Sequence, residues 1–163
     1  MDFKYKLSDK VLTFIEKADL EEISIGCSDS QVFRIKNKKG IFFLKVAKKA
    51  LLTSEYEKLK WLEGKLNVPK IVLYDYTDDT EYLITESIGG EMVCSEYYLN
   101  NPEVGINVIA KSFKQIVDVD IKDCPFNVSI DYVTGLSDNK KYATQNINIL
   151  KTITYICFKF LSF

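Results

Sequence analysis

Histidine is absent from all 163 residues, which removes the commonest general base and the commonest metal ligand from any mechanism this chain can run. Cysteine is sparse and scattered: Cys27, Cys94, Cys124 and Cys157 show no CxxC spacing, so neither a zinc site nor a disulfide framework is expected, and buried thiols are the plain reading. Excess charge is missing too. Lysine and arginine total 22 against 23 acids, a net charge of -1, and the lysines are interspersed with acids, so there is no electrostatic footprint for nucleic acid. No apolar run reaches the roughly 18 residues of a membrane span, and the opening MDFKYKLSDKVL lacks the apolar core of a signal peptide. A cytoplasmic protein with no membrane partner is expected. What is present, 47% hydrophobic and 13% aromatic residues, is globular material for one domain, burying roughly 70% of its unfolded surface.

Periodicity gives the organisation. Ser8 is placed to cap a first helix with an apolar face of Val11, Leu12 and Ile15, ending near Asp19. Three runs of strand character follow, 21 to 26, 31 to 37 and 41 to 46, with Lys38, Lys39 and Gly40 as the tight turn of a hairpin. A helix is predicted from Ser54 to about Lys65, with Leu52, Tyr56, Leu59, Leu62 and Leu66 along one side and Gly64 and Pro69 at its end. Residues 71 to 76 and 81 to 86 read as a second hairpin joined by TDDT. After Gly89 and Gly90, Asn101 and Pro102 start a helix with an apolar row of Val108, Ile109, Phe113, Ile116 and Val117. From about Tyr132 the composition shifts: four lysines stand against Asp138 alone, a net charge of +3 that leaves -4 for the first 131 residues. The run INILKTITYICFKFLSF keeps neither a helical nor a strand period. It reads either as an ordinary buried element or, the reading favoured, as an out-of-frame extension of foreign composition.

Three spots carry candidate chemistry. In IFFLKV, Phe43 and Lys45 share one face of a strand, side chains roughly 6.6 to 7 Å apart, while Phe42, Leu44 and Val46 take the other. A flat ring beside an ammonium suits a base at one end and phosphates at the other, although such a lysine by itself is more often a snorkelling surface residue. The next helix offers Glu55 to pin the lysine and Glu57 to close a Ser54-x-x-Glu57 capping box. Between the first two strands, Gly26, Cys27, Ser28, Asp29 and Ser30 form either a phosphate loop, with Val32 covering a base, or an ordinary hairpin turn.

Residues about 5 to 131 resemble the amino-terminal part of the bacterial aminoglycoside 3'-phosphotransferase family, which has a protein-kinase-like fold. The stretches WLEGKLNVPKI (61 to 71), YLITESIGGEMVCSE (82 to 96) and VDIKDCPF (119 to 126) carry the resemblance. It implies an α+β fold: a kinase-like amino-terminal lobe, a five-stranded antiparallel sheet with a helix, plus the first helix of an incomplete second lobe. The expected divisions are a nucleotide-binding lobe and hinge over 1–90, the start of the second lobe over 91–131, and a divergent tail over 132–163. The resemblance implies ATP as the nucleotide, with Lys45 as the phosphate lysine, Glu55 as its helix partner, Phe43 stacking on adenine and Ser28 in the phosphate loop. The hinge that binds the adenine edge through backbone groups falls on Thr85 to Ser87.

The family's His-Gly-Asp catalytic loop and Ile-Asp metal motif have no counterpart in these 163 residues. Asp118, Asp120, Asp123 and Asp131 match the family's helix and following loop, not those motifs. The resemblance thus implies a truncated phosphotransferase, inactive by itself, with weak ATP binding, no magnesium ligands and an aminoglycoside partner only in a complete enzyme. The alternative is a noncatalytic nucleotide-binding or protein-interaction module. Self-association through the apolar row of the 102–119 helix is expected in either case.

Overall fold

The computed structural model describes residues 3–23, 30–90 and 93–126. In chain order these form α1 (Asp9–Ile15), β1 (Asp19–Glu22), β2 (Gln31–Asn37), β3 (Gly40–Lys48), α2 (Thr53–Leu62), β4 (Ile71–Tyr76), β5 (Thr80–Glu86), α3 (Glu96–Asn100) and α4 (Pro102–Val117). The five strands make one antiparallel sheet in the order β1-β2-β3-β5-β4. Gly89 closes the first of two compact units, and the second begins at Gly90.

Two-residue alternation divides the sheet into faces. Phe42, Leu44 and Val46 of β3 join Phe33, Ile35, Tyr82 and Ile84 in one core cluster, as side chains two apart on a strand must. Segment 3–15 covers this face: Val11 is fully buried, Phe3 lies 4.7 Å from Phe33 and Phe14 meets Phe42 edge-on at 5.2 Å. The hydroxyl of Tyr82 donates to the Lys6 carbonyl. Lys10 docks α1 on β4 through Asp75 at 2.9 Å, and this ammonium holds the Asp75 carboxyl below the usual carboxylate range. Ser8 caps α1, its Oγ accepting from the Val11 amide at 3.4 Å. The helix stops at Ile15 rather than near Asp19, because Lys17 turns to φ 62° and Asp19 already pairs with Lys36 in β1. Leu12, expected on the apolar face, is 49% exposed.

The hairpins fall where turn chemistry puts them. Asn37 pairs with Gly40 across Lys38 and Lys39, and Gly40 takes φ 141°, a value open to glycine and closed to most residues. Residues 24–29 lie outside the described residues, so the far end of the predicted 21 to 26 strand and the candidate loop at Gly26 to Asp29 do too; β1 itself is Asp19–Glu22. The helix α2 begins at Thr53 with Leu52 at the N-cap and ends at Leu62. Ser54 and Glu57 therefore sit inside the helix and form no capping box: the N-cap makes no side-chain hydrogen bond. Leu52, Leu59 and Leu62 are buried, as the sequence predicts.

In the second unit a short helix that periodicity did not reveal, α3, precedes α4. Pro102 opens α4, and Gly105 is buried beside Tyr98 of α3. Of the predicted row, Ile116 is buried, whereas Ile109, Phe113 and Val117 are 37%, 39% and 59% exposed. The proposed tail from Tyr132 lies outside the described residues.

The face assignment is open to a direct check. Leu44→Ala should destabilise the protein by about 2 to 5 kcal/mol, while Leu12→Ala should stay within about 0.5 kcal/mol, both measured by urea unfolding. Similar losses at the two positions would mean that the face assignment is wrong.

Candidate functional site

Lys45 projects from the face of β3 opposite the Phe42–Leu44–Val46 core. Its register partners are Val32 on β2 and Leu83 on β5; those of Phe43, two residues back on the same face, are Arg34 and Thr85. Only 4% of Lys45 is exposed. A lysine this deep must be compensated, since desolvating an ammonium costs several kcal/mol. Glu55, in the first turn of α2, meets that need: its Oε1 accepts from the Lys45 Nζ at 2.5 Å. The pair fixes an ammonium in one orientation on a strand at the centre of the sheet, as an electrostatic clamp for phosphate oxygens requires.

The helix carrying Glu55 is itself held from the sheet. Glu81 of β5, a buried residue, accepts from the amides of Leu52 at 2.7 Å and Thr53 at 3.0 Å through Oε2, and from the hydroxyls of Thr53 at 2.6 Å and Tyr74 at 3.1 Å through Oε1. Burial pushes the Glu81 carboxyl up, but the bonds from Thr53, Leu52, Ala50 and Tyr74 outweigh it and hold the group below the usual carboxylate range. Tyr74 also stacks on Tyr56 of α2, ring centres 4.1 Å apart and planes 9° apart. The sequence reading missed Glu81. Its one signal was an acid directly before the apolar run Tyr82, Leu83 and Ile84, which the preceding polar turn TDDT masks as part of the loop.

At the far end of β5 the predicted hinge is partly committed. Thr85 is buried and pairs with Phe43 on one side and Ile71 on the other. The Glu86 amide donates to the Lys70 carbonyl at 2.9 Å, and the Ser87 amide to the Ile41 carbonyl at 3.0 Å. The Glu86 and Ser87 amides, which the resemblance assigns to the adenine edge, thus serve the sheet. The next amide in the chain is that of Ile88, a residue the sequence reading passed over although it directly precedes the Gly89–Gly90 break.

Of the predicted site residues, the structure brings Lys45 and Glu55 into contact, sets Phe43 beside Thr85 in register, and ties Ser87 to β3. Ser28 lies outside the described residues. Among the described residues no three His, Cys, Asp or Glu side chains gather as a metal site. No helix among the described residues is long and apolar enough to cross a membrane.

No family profile matches the chain, but individual proteins do. An aminoglycoside 3'-phosphotransferase of Niallia circulans is 27% identical over 143 residues, 85% of this chain and 54% of the relative. Those of Enterococcus faecalis and Staphylococcus aureus are each 28% identical, covering 78% of this chain and 51% of theirs. The chain thus spans about half the length of these curated relatives. Among solved structures, an aminoglycoside-3'-phosphotransferase of type VIII matches with a TM-score of 0.58 at 20% identity, over 90% of this chain and 62% of the other. Aminoglycoside phosphotransferase APH(4)-Ia matches with a TM-score of 0.55 at 17% identity, over 69% and 39%. In sequence along most of its length this chain is similar to about half of the aminoglycoside 3'-phosphotransferases, and in fold its five-stranded sheet and helices match an amino-terminal kinase-like lobe.

Proposed function

We propose that the chain is the nucleotide-binding lobe of an aminoglycoside phosphotransferase and binds ATP. The observation that carries this reading is the Lys45–Glu55 pair, a buried 2.5 Å contact between the central strand and the helix packed on it. In this reading the Lys45 ammonium takes phosphate oxygens, Glu55 keeps it from collapsing into the sheet, and Phe43 lies against the base. Backbone groups of the Thr85–Ser87 stretch accept from the adenine edge, with Ile88 supplying the amide that Glu86 and Ser87 cannot. Ser28 joins the phosphate loop by resemblance alone. Because ATP is a cytoplasmic metabolite, the reading carries a cytoplasmic location.

The family reaction moves the γ-phosphoryl group of ATP to a drug hydroxyl. It requires a base near that hydroxyl and charge neutralisation at the phosphates. The 163 residues contain no histidine and hence no His-Gly-Asp loop, so by this reading the polypeptide alone transfers nothing. A second reading, a protein-interaction module, is favoured by one observation: Ile106, Ile109, Phe113 and Val117 run along one exposed side of α4. Its occupant would be the half of the family fold that this chain does not span, supplied as a separate polypeptide.

Titration with ATP followed by NMR should give shifts confined to Phe43, Lys45, Glu55 and 85 to 88, with a dissociation constant near millimolar, about 4 kcal/mol. Lys45→Ala should abolish them; shifts scattered over the surface, or unaffected by the substitution, would refute nucleotide binding at this site. In a coupled assay with ATP, magnesium and kanamycin, the polypeptide should turn over no faster than its Lys45→Ala variant, beside a complete family enzyme as positive control. Adding a carboxy-terminal half that carries the catalytic loop separates the two readings. Activity recovered by the mixture, and lost again with Phe113→Lys, would establish the interaction module.

A further inference from the structure

Among the described residues Glu81 is the buried acid, and nothing in the proposed chemistry uses it. Its location explains why it is there. The first amides of a helix have no partner within the helix, and Leu52 at the N-cap has no side-chain oxygen to offer them. Glu81 supplies the missing acceptor from 29 residues further along the chain, taking the amides of Leu52 and Thr53 on one oxygen and two hydroxyls on the other. A carboxylate at this end is also favoured by the helix dipole.

The register turns this cap into a positioning device. Glu81 pairs with Ala47, two residues beyond Lys45 on β3 and on the same face of the sheet. Thr53, which Glu81 grips, is two residues before Glu55, which grips Lys45. Strand and helix are therefore joined by two carboxylates on one side: one reaches from sheet to helix, the other from helix to sheet. Leu59 and Leu62 anchor the later turns through apolar contact, which resists separation but permits rotation and sliding far better than directed hydrogen bonds do.

We infer that Glu81 is a positioning residue for the Lys45–Glu55 pair, holding the first turn of α2 at the rotation and height that bring Glu55 to Lys45. The functional meaning of this rests on the nucleotide-binding reading, but the pairing can be measured without nucleotide. In protein labelled with 15N-lysine, the Lys45 ammonium should give a slowly exchanging signal because it is buried and bonded, and Glu55→Leu, which leaves no acceptor, marks where that signal goes when the pair is broken. Glu81→Leu, which keeps bulk and removes every acceptor, should carry the Lys45 signal at least half of that way while β3 and β5 backbone signals stay near their wild-type positions. Glu81→Gln should move it less, since a neutral amide oxygen still accepts from Leu52 and Thr53, though without charge assistance. A Lys45 signal unmoved from wild type in whichever of these two variants folds would overturn the inference. Glu81→Leu should also weaken ATP binding about fivefold, the scale of a lost helix cap. Should the wild-type protein bind no ATP, the nucleotide reading falls, and the lysine signal still decides the role of Glu81.

Discussion

A buried ammonium organises this lobe. Lys45 stands on the central strand with β2 on one side and β5 on the other, so its charge has no route to water along the sheet and must find a carboxylate on whatever packs over that face. Removing one partner of such a pair typically costs about 3 to 5 kcal/mol, far more than the pair itself contributes over an apolar replacement. The contact therefore fixes geometry more than it adds stability. It obliges α2 to lie across the sheet with its first turn above β3, and it makes that turn's own unsatisfied amides a second polar problem at the same depth. Glu81 answers the second problem as Glu55 answers the first, and Thr53, Tyr74 and Tyr56 complete the polar and aromatic seam between helix and sheet.

The two faces of the sheet are accordingly unequal. One is a continuous apolar layer sealed by the N-terminal segment through Phe3, Val11 and Phe14, with Lys10–Asp75 at its rim. The other holds the groups on which the candidate site is built: the Phe43 ring and the polar side chains of Lys45, Glu81 and Thr85 share that face of β3 and β5. Strand period alone divides these roles, because a slip of one residue in β3 would place Lys45 among Phe33, Ile35 and Tyr82. At the end of β5 the sheet also consumes the amides of Glu86 and Ser87.

The second unit is shaped by different demands. Gly105 is buried beside Tyr98, and Ile116 is buried, yet Ile106 and Val117 remain 65% and 59% exposed. Apolar rows of this extent on a helix ordinarily meet another element. The relatives this chain matches are about twice as long as the matched region, which is consistent with a fold in which such a row would have further protein to pack against.

Much of this architecture was legible in the sequence. The alternation of IFFLKV gave β3 and its two faces, Gly40 gave the hairpin turn, and Ser8 and Pro102 marked helix starts, because each of these depends on a residue's own geometry and its near neighbours. The spacing of Lys45 and Glu55, read through family resemblance, named a pair that the structure brings into contact. Local signals misled where a distant group competed. Ser54 and Glu57 spell a capping box, but Glu81 from another strand satisfies the amides of Leu52 and Thr53 and starts the helix one residue earlier. Likewise a hinge spelled Thr85–Glu86–Ser87 does not reveal that Lys70 and Ile41 claim two of its amides. The sequence by itself determined which residues alternate, turn and begin helices. Tertiary structure alone decided which carboxylate caps α2 and which amides are spent, because those hydrogen bonds join groups tens of residues apart whose meeting is set by strand order and register.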